Sequence, residues 1–153
     1  MNYKIIFRVL GFLLFVEGIA MIMAFIISLI YSEYDQAAFL ISAGINITFG
    51  GLIVYLTRKV NKDIGRKEGY IIVSSVWIVF SFFGSLPYVI SGAIPNFTNA
   101  FFETMSGFTT TGSSILADIE SLPHGILFWR SITQWLGGMG IIVLSLAILP
   151  VFG

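Results

Sequence analysis

The stretch that decides the predicted fold is Asn96–Ser113, NFTNAFFETMSGFTTTGS. Residues 97–106 form a short apolar segment, and 108–113 form a polar one with three consecutive threonines and a glycine. A ten-residue helix is about 15 Å long, which is half of the roughly 30 Å hydrocarbon core of a bilayer. Longer apolar segments flank this stretch on both sides. The pattern therefore predicts a chain that enters the membrane and turns back inside it.

Signals for the start and the end of a helix surround residues 97–106. Pro95, followed by Asn96 or Thr98, is typical of a helix start. Gly107 is a typical helix stop. Such a helix directs its carboxyl end towards the membrane centre, where its partial negative charge favours a cation.

The composition indicates a membrane protein. The chain of 153 residues is 57% hydrophobic and 10% charged, whereas soluble domains carry about 25% charged residues. It contains no cysteine, and its one histidine is His124. Thiolate and histidine-cluster metal sites are therefore excluded, and we expect neither an enzyme nor a resident cofactor.

The hydropathy pattern predicts an all-α membrane protein with four spans, at 5–30, 37–57, 70–90 and 126–151. Residues 1–57 read as a two-helix hairpin, because a short polar turn joins the first two spans. Glu17 in the first span is expected to contact Asn46 or Thr48 in the second. Pro87 is expected to kink the third span.

The basic residues predict the orientation of the chain. Lys4 and Arg8 precede or begin the first span, and five basic residues lie in the loop 58–69. The positive-inside rule then places both termini of this multi-pass segment in the cytoplasm of a plasma membrane. The opposite side receives acidic residues that would raise the local cation concentration, namely Glu33, Asp35, Asp118 and Glu120.

The polar segment 108–113 suits a dehydrated monovalent cation. Non-helical backbone at membrane depth is tolerated where it is buried in protein or lines a wet cavity, and potassium filters use such backbone carbonyls to replace the water of the ion. Candidate ligands are the carbonyls of Thr109, Thr110, Thr111 and Gly112, above all those of Thr110 and Thr111. The residues alone also allow an ordinary external loop between two spans.

Two ionisable residues accompany this segment. Glu103 is predicted to accept hydrogen bonds from backbone or hydroxyl groups behind the filter, or to pair with Arg130, and direct ion binding is the alternative. Arg130 could also extend to the membrane interface. Gly137–Gly140 (GGMG) is predicted to allow close helix packing rather than a bend. Among the tryptophans, Trp129 is the best placed for an interfacial belt.

Two motifs, NAFFETMSGFTTTGSSIL and LFWRSITQWLGGMGIIVLSLAILPVFG, closely resemble the first pore-forming repeat of the Trk/Ktr/HKT superfamily of potassium transporters. The TrkH/TrkG type is the most similar, since it also has two additional spans before the first repeat. The resemblance implies that 70–153 is a helix–pore-loop–helix repeat of a potassium-channel-like pore. Four such repeats surround the ion in this superfamily, and each contributes one filter strand.

The resemblance also implies roles for residues and partners. Thr109, Thr110, Thr111 and Gly112 would bind the transported potassium ion, with Glu103, Gly107 and Arg130 in support. Gly112 matches the filter glycine that the superfamily links to preference for potassium over sodium. The implied partners are three further pore repeats, the lipid bilayer and a cytosolic nucleotide-binding regulatory subunit of the TrkA type.

The sequence contains one repeat, and one filter strand cannot surround an ion. We expect the N-terminal part of a longer transporter, although a truncated product is possible. The alternatives are a one-repeat subunit of a homotetrameric cation channel and a non-conducting structural or assembly module of a transporter.

Overall fold

The computed structural model describes the backbone of residues 3–58 and 66–148, and the side chains of 3–58 and 67–142. These residues form six helices and no strand: α1 Tyr3–Tyr31, α2 Gln36–Leu56, α3 Arg66–Gly84, α4 Leu86–Ser91, α5 Phe97–Phe108 and α6 His124–Ile148. The prediction of an all-α protein is confirmed.

Three helical segments in the described residues are long and apolar enough to cross a membrane. They are Tyr3–Tyr31, Gln36–Leu56 and Lys67–Ser91. Large apolar side chains are exposed along them, including Phe12, Leu52 and Ile78, as expected for a surface that faces lipid. The fourth predicted span, 126–151, corresponds to the 25-residue helix α6, and its last residues lie outside the described part of the chain.

The third predicted span, 70–90, is broken into two helices rather than continuous. Helix α3 ends at Gly84 and α4 begins at Leu86, so that Pro87 stands in the first turn of α4. Proline is accepted there because a first-turn N–H has no partner within its helix. Helix α3 also starts at Arg66, inside the segment 58–69 that the sequence assigned to a loop; residues 59–65 of that loop lie outside the described residues.

Helices α1 and α2 pack closely through glycines. A Cβ on Gly50 would lie 2.6 Å from the carbonyl oxygen of Gly11, and one on Gly18 would lie 2.7 Å from the side chain of Ile47. Small residues let the two backbones approach, which is the usual basis of helix packing in membranes. Helix α1 also contacts α3 and α6, so the hairpin supports the rest of the chain.

The contact predicted between Glu17 and the second span is wrong. The Asn46 amide donates to Met21 Sδ and to the Ser42 carbonyl, both at 3.2 Å, and the Thr48 hydroxyl donates to the Gly44 carbonyl at 2.6 Å. The Thr48 hydroxyl therefore bonds within α2, and the Asn46 amide bonds both within α2 and to α1. Glu17 is fully buried and lies against Gly84, and its carboxylate has no hydrogen-bond partner among the described residues.

The turn between α1 and α2 caps the start of α6. Glu33 accepts hydrogen bonds from the backbone N–H groups of His124 (2.6 Å) and Gly125 (3.4 Å), and its carboxylate lies 2.8 Å from His124 Nδ1. The His124 ring stacks on Tyr31 at 3.8 Å. A carboxylate at a helix N-terminus is favourable because it meets unpaired N–H groups and the positive end of the dipole.

The four acidic residues predicted for the side opposite the basic loop differ in their exposure. Asp35 is fully buried and accepts a hydrogen bond from Ser28, and Glu33 is engaged at α6. Asp118 and Glu120 are exposed, as expected. The difference arises because the turn folds onto another helix, which local sequence does not reveal.

Gly50→Ala is expected to destabilise the hairpin by about 1–3 kcal/mol, because the added methyl group would overpack two backbones. Gly51→Ala is the matched control, since no atom lies within 4 Å of its added Cβ. Unfolding of both variants in detergent measures the difference. An equal loss in the two variants would contradict the glycine-mediated packing.

Candidate functional site

Helix α5 carries Glu103 and Gly107 and leads directly into the candidate residues 109–112. Its N-cap is Asn96, whose side chain accepts a hydrogen bond from the backbone N–H of Asn99 at 3.2 Å. It packs against α3 and α6. The helix continues to Phe108, two residues beyond the predicted end at 106, and Thr109 is its C-cap.

Gly107 is not the helix stop that the sequence indicated. It lies inside α5, and the Thr109 N–H still bonds to the Met105 carbonyl at 2.9 Å. Glycine is required here for a different reason, because a Cβ would lie 2.5 Å from the Thr133 hydroxyl oxygen of α6. Gly107 therefore allows α5 and α6 to approach closely.

The segment predicted as a filter, 108–113, has three parts. Phe108 ends the helix, Thr109 and Thr110 form a turn, and the chain is non-helical from Thr111. Backbone hydrogen bonds fix the turn to the end of the helix, from Thr110 to Gly107 at 2.9 Å and from Thr111 to Ser106 at 3.0 Å.

The backbone dihedrals of this segment are unusual. Thr109 has a φ of −81°, Thr110 of +56° and Gly112 of +76°. Threonine rarely adopts a positive φ. In an ordinary strand successive residues face opposite ways, and the positive φ values of Thr110 and Gly112 depart from that regular backbone.

Several carbonyl oxygens of the segment remain available. The carbonyls of Thr110, Thr111 and Gly112 accept no hydrogen bond from any described residue, and all three residues are exposed. By contrast, the Thr109 carbonyl accepts from the Thr110 hydroxyl at 2.7 Å, and the Ser113 carbonyl from the Ser106 hydroxyl at 2.6 Å. Three adjacent oxygens are thus left for another partner.

The threonine hydroxyls support the turn. Thr109 Oγ1 donates to the Met105 carbonyl at 2.8 Å and lies 2.8 Å from Thr111 Oγ1. These short bonds fix the orientation of the Thr109 and Thr111 side chains at the turn.

Glu103 joins three parts of the chain. It is 4% exposed. Its carboxylate accepts from Arg130 Nε at 2.9 Å, from the Ser114 hydroxyl at 3.0 Å and from the Ile115 N–H at 3.0 Å. Arg130 Nη2 lies 2.7 Å from the same carboxylate. The structure therefore brings Glu103 and Arg130 together beside the residues that follow the turn.

One face of α6 lies against the end of α5. A Cβ on Gly137 would collide with the backbone of Phe108, and Gln134 Nε2 lies 3.9 Å from the Cβ position of Gly112. Arg130, Thr133, Gln134 and Gly137 follow the spacing i, i+3, i+4, i+7 of one helix face. Four residues around the site were not predicted from the sequence, although this spacing could have indicated the last two: Ser106, Ser114, Thr133 and Gln134.

Trp129 does not form an interfacial belt. It is fully buried, and its indole N–H donates to the Gly84 carbonyl at 2.9 Å. Its ring meets Phe39 edge-on, with 6.5 Å between the ring centroids. The Gly84 carbonyl lies at the break between α3 and α4. The sequence did not predict that Trp129 would lie next to this break.

Known proteins share this arrangement. A family model described as TrkH, cation transport protein, matches residues 35–153. The chain belongs to the TrkH family. The Trk system potassium uptake proteins TrkH of Halomonas elongata and of Escherichia coli K12 are each 40% identical over the whole chain, which covers 32% of their length.

The crystal structure of the potassium transporter TrkH from Vibrio parahaemolyticus is also similar. It superimposes with a TM-score of 0.91 and 36% identity over 98% of this chain, and 32% of that protein is covered. The chain thus spans about a third of the length of the TrkH relatives it matches. Because TrkH proteins are cation transport proteins, the expectation that the chain is not an enzyme is confirmed.

Gly137→Ala is expected to displace the end of α5 and to lower both stability and transport, since the methyl group meets backbone that cannot move aside. Gly138→Ala is the control, because its Cβ would only touch the Thr110 methyl group at 3.8 Å. Thermal unfolding and potassium uptake of the complete transport assembly measure both. Equal behaviour of the two variants would contradict the close approach at Gly137.

Glu103→Gln is expected to destabilise the fold by about 3 kcal/mol and to reduce transport, because it leaves the Arg130 charge without its partner. Glu120→Gln, at an exposed loop position, controls for the loss of one negative charge. Uptake and unfolding assays measure the effect. Unchanged uptake in Glu103→Gln would show that the carboxylate does not support the segment.

Proposed function

We propose that this chain supplies one quarter of a potassium-selective pore. The observation that carries the proposal is the row of exposed carbonyl oxygens at Thr110, Thr111 and Gly112, which accept no hydrogen bond from the described residues. Similarity to proteins named as potassium uptake proteins supports potassium as the transported substrate. Thr109, which precedes these three residues, completes the proposed four-residue filter strand.

The proposed mechanism is replacement of ion hydration. An ion loses water as it enters, and backbone carbonyls provide oxygens in its place, so that the cost of dehydration is offset. A cation with a tightly held water shell, such as a divalent one, usually requires carboxylate ligands. The Glu103 carboxylate, next to the end of the segment, already accepts hydrogen bonds from Arg130, Ser114 and Ile115. It therefore supports the strand and does not bind the ion.

One strand contributes only part of such a site, so the proposal requires three further repeats. The chain covers 32% of its TrkH relatives, which leaves room for these repeats in one longer chain. Within the present chain, 1–57 is the N-terminal hairpin, 58–69 a basic segment and 70–153 the first pore repeat, with the filter in 108–113. A cytosolic nucleotide-binding subunit of the TrkA type is the proposed regulatory partner.

The proposed location is the bacterial inner membrane, with both ends of the segment in the cytoplasm. The asymmetry of basic residues supports this orientation, since Lys4, Arg8 and the basic segment then lie on one side. The turn at Glu33 and the loop 111–123 lie on the other side. Potassium would then approach the filter from outside the cell.

Gly112→Ala is expected to reduce the preference of the complete assembly for potassium over sodium. An alanine at φ +76° is strained, by roughly 1–2 kcal/mol, and relief of the strain would turn a filter carbonyl. Gly92→Ala is the matched control, because Gly92 has φ +78° and nothing within 4 Å of its added Cβ. Fluxes of potassium and sodium into proteoliposomes measure the ratio. A loss of selectivity in both variants, or in neither, would contradict the filter assignment.

Two experiments test the alternatives, one on the chain alone and one on the complete assembly. A one-repeat channel would form tetramers in detergent and conduct potassium in liposomes without further subunits. A non-conducting assembly module would leave uptake by the complete assembly unchanged when Gly112 is replaced by a bulkier residue. The proposal predicts the opposite in both experiments.

A further inference from the structure

A small polar cavity adjoins the proposed filter. Its volume is about 50 Å³, and its lining includes Tyr88, Glu103, Gly112, Ser113, Arg130 and Gln134. It therefore connects the buried ion pair with the filter backbone. A larger cavity of about 400 Å³ between α1, α3 and α6 is lined mainly by apolar side chains, and the chemistry of the small cavity is different.

Several polar groups around the small cavity have unused hydrogen-bonding capacity. The Tyr88 hydroxyl, the backbone N–H groups of Gly112 and Ser113, and Arg130 Nη1 have no hydrogen-bond partner in the described part of the chain. Tyr88 is 1% exposed, and it lines the small cavity together with Glu103 and Arg130.

The size and the lining of the cavity suit water. A water molecule requires about 10–15 Å³ of such space and 2–4 polar partners. The cavity exceeds that volume severalfold at about 50 Å³, and its lining includes the polar side chains of Tyr88, Arg130 and Gln134. A water molecule can accept from a guanidinium N–H and a phenol and donate to a carbonyl.

We propose that this cavity is a bound-water site that links the Tyr88 hydroxyl and Arg130 to the filter backbone at Gly112 and Ser113. The inference rests on the proposed function of the filter. Water held here completes the hydrogen bonding behind the filter strand and fixes the direction of its peptide groups. Tyr88 is then a positioning residue, which acts on the ion through water and backbone.

The test compares Tyr88→Phe with the wild type in the complete transport assembly. The substitution removes one hydroxyl and keeps the ring that packs in the core. We expect ordered water density next to the Tyr88 hydroxyl in a high-resolution map of the wild type, and loss or displacement of that density in the variant. We also expect the potassium-to-sodium flux ratio to fall roughly two- to tenfold, the equivalent of one hydrogen bond.

Tyr70→Phe is the control, since Tyr70 is 58% exposed on α3, and neither its flux ratio nor the water density should change. A wild-type map without water in the cavity would overturn the proposal, and this outcome does not depend on the folding of any variant. An unchanged flux ratio in Tyr88→Phe would overturn the positioning role. If Gly112→Ala still lowered selectivity in that case, the filter assignment would stand and only the water site would fail.

Discussion

The rest of the site depends on the hydrogen bonds and the ion pair that the buried Glu103 carboxylate makes. This carboxylate is shared by α5, by Ser114 and Ile115 after the proposed filter, and by Arg130 of α6. A buried ion pair is tolerable only when further hydrogen bonds satisfy its polar atoms, and the serine hydroxyl and the backbone N–H have this role. Because these groups come from three separate segments, the segment between them is held at both ends while its carbonyls remain free.

The N-terminal hairpin is part of this support. Glu33 caps α6 through His124, and Glu17 of α1 lies against Gly84, whose carbonyl accepts the Trp129 N–H. Helix α6 is therefore fixed at its start by the hairpin, next by Trp129 and then by the Glu103–Arg130 pair. These contacts all lie in the first part of α6, and further along the helix Gly137 lies against the backbone of Phe108, where the turn begins.

Hydropathy was sufficient to predict where the long helical segments lie, because burial in a bilayer imposes long apolar segments, but it did not predict the break between α3 and α4. The ends of the helices and the contacts between them were harder to predict from the sequence. Gly107 has the local features of a helix stop. Its lack of a Cβ instead leaves space for the Thr133 hydroxyl, 26 positions further along the chain. Trp129 has the features of an interfacial residue, but its N–H donates to the Gly84 carbonyl at the break between α3 and α4. The contacts of Glu103 could be predicted because a charge in an apolar helix needs a partner, and the sequence offers few partners besides Arg130.

The most direct test of the account is the location of the ion in the complete assembly. Anomalous diffraction from rubidium or thallium, used in place of potassium, would show it. The account predicts a peak in direct contact with the carbonyl oxygens of Thr110, Thr111 and Gly112, and none at the Glu103 carboxylate. A peak at Glu103, or ions bound only at the exposed acidic residues Asp118 and Glu120, would contradict it.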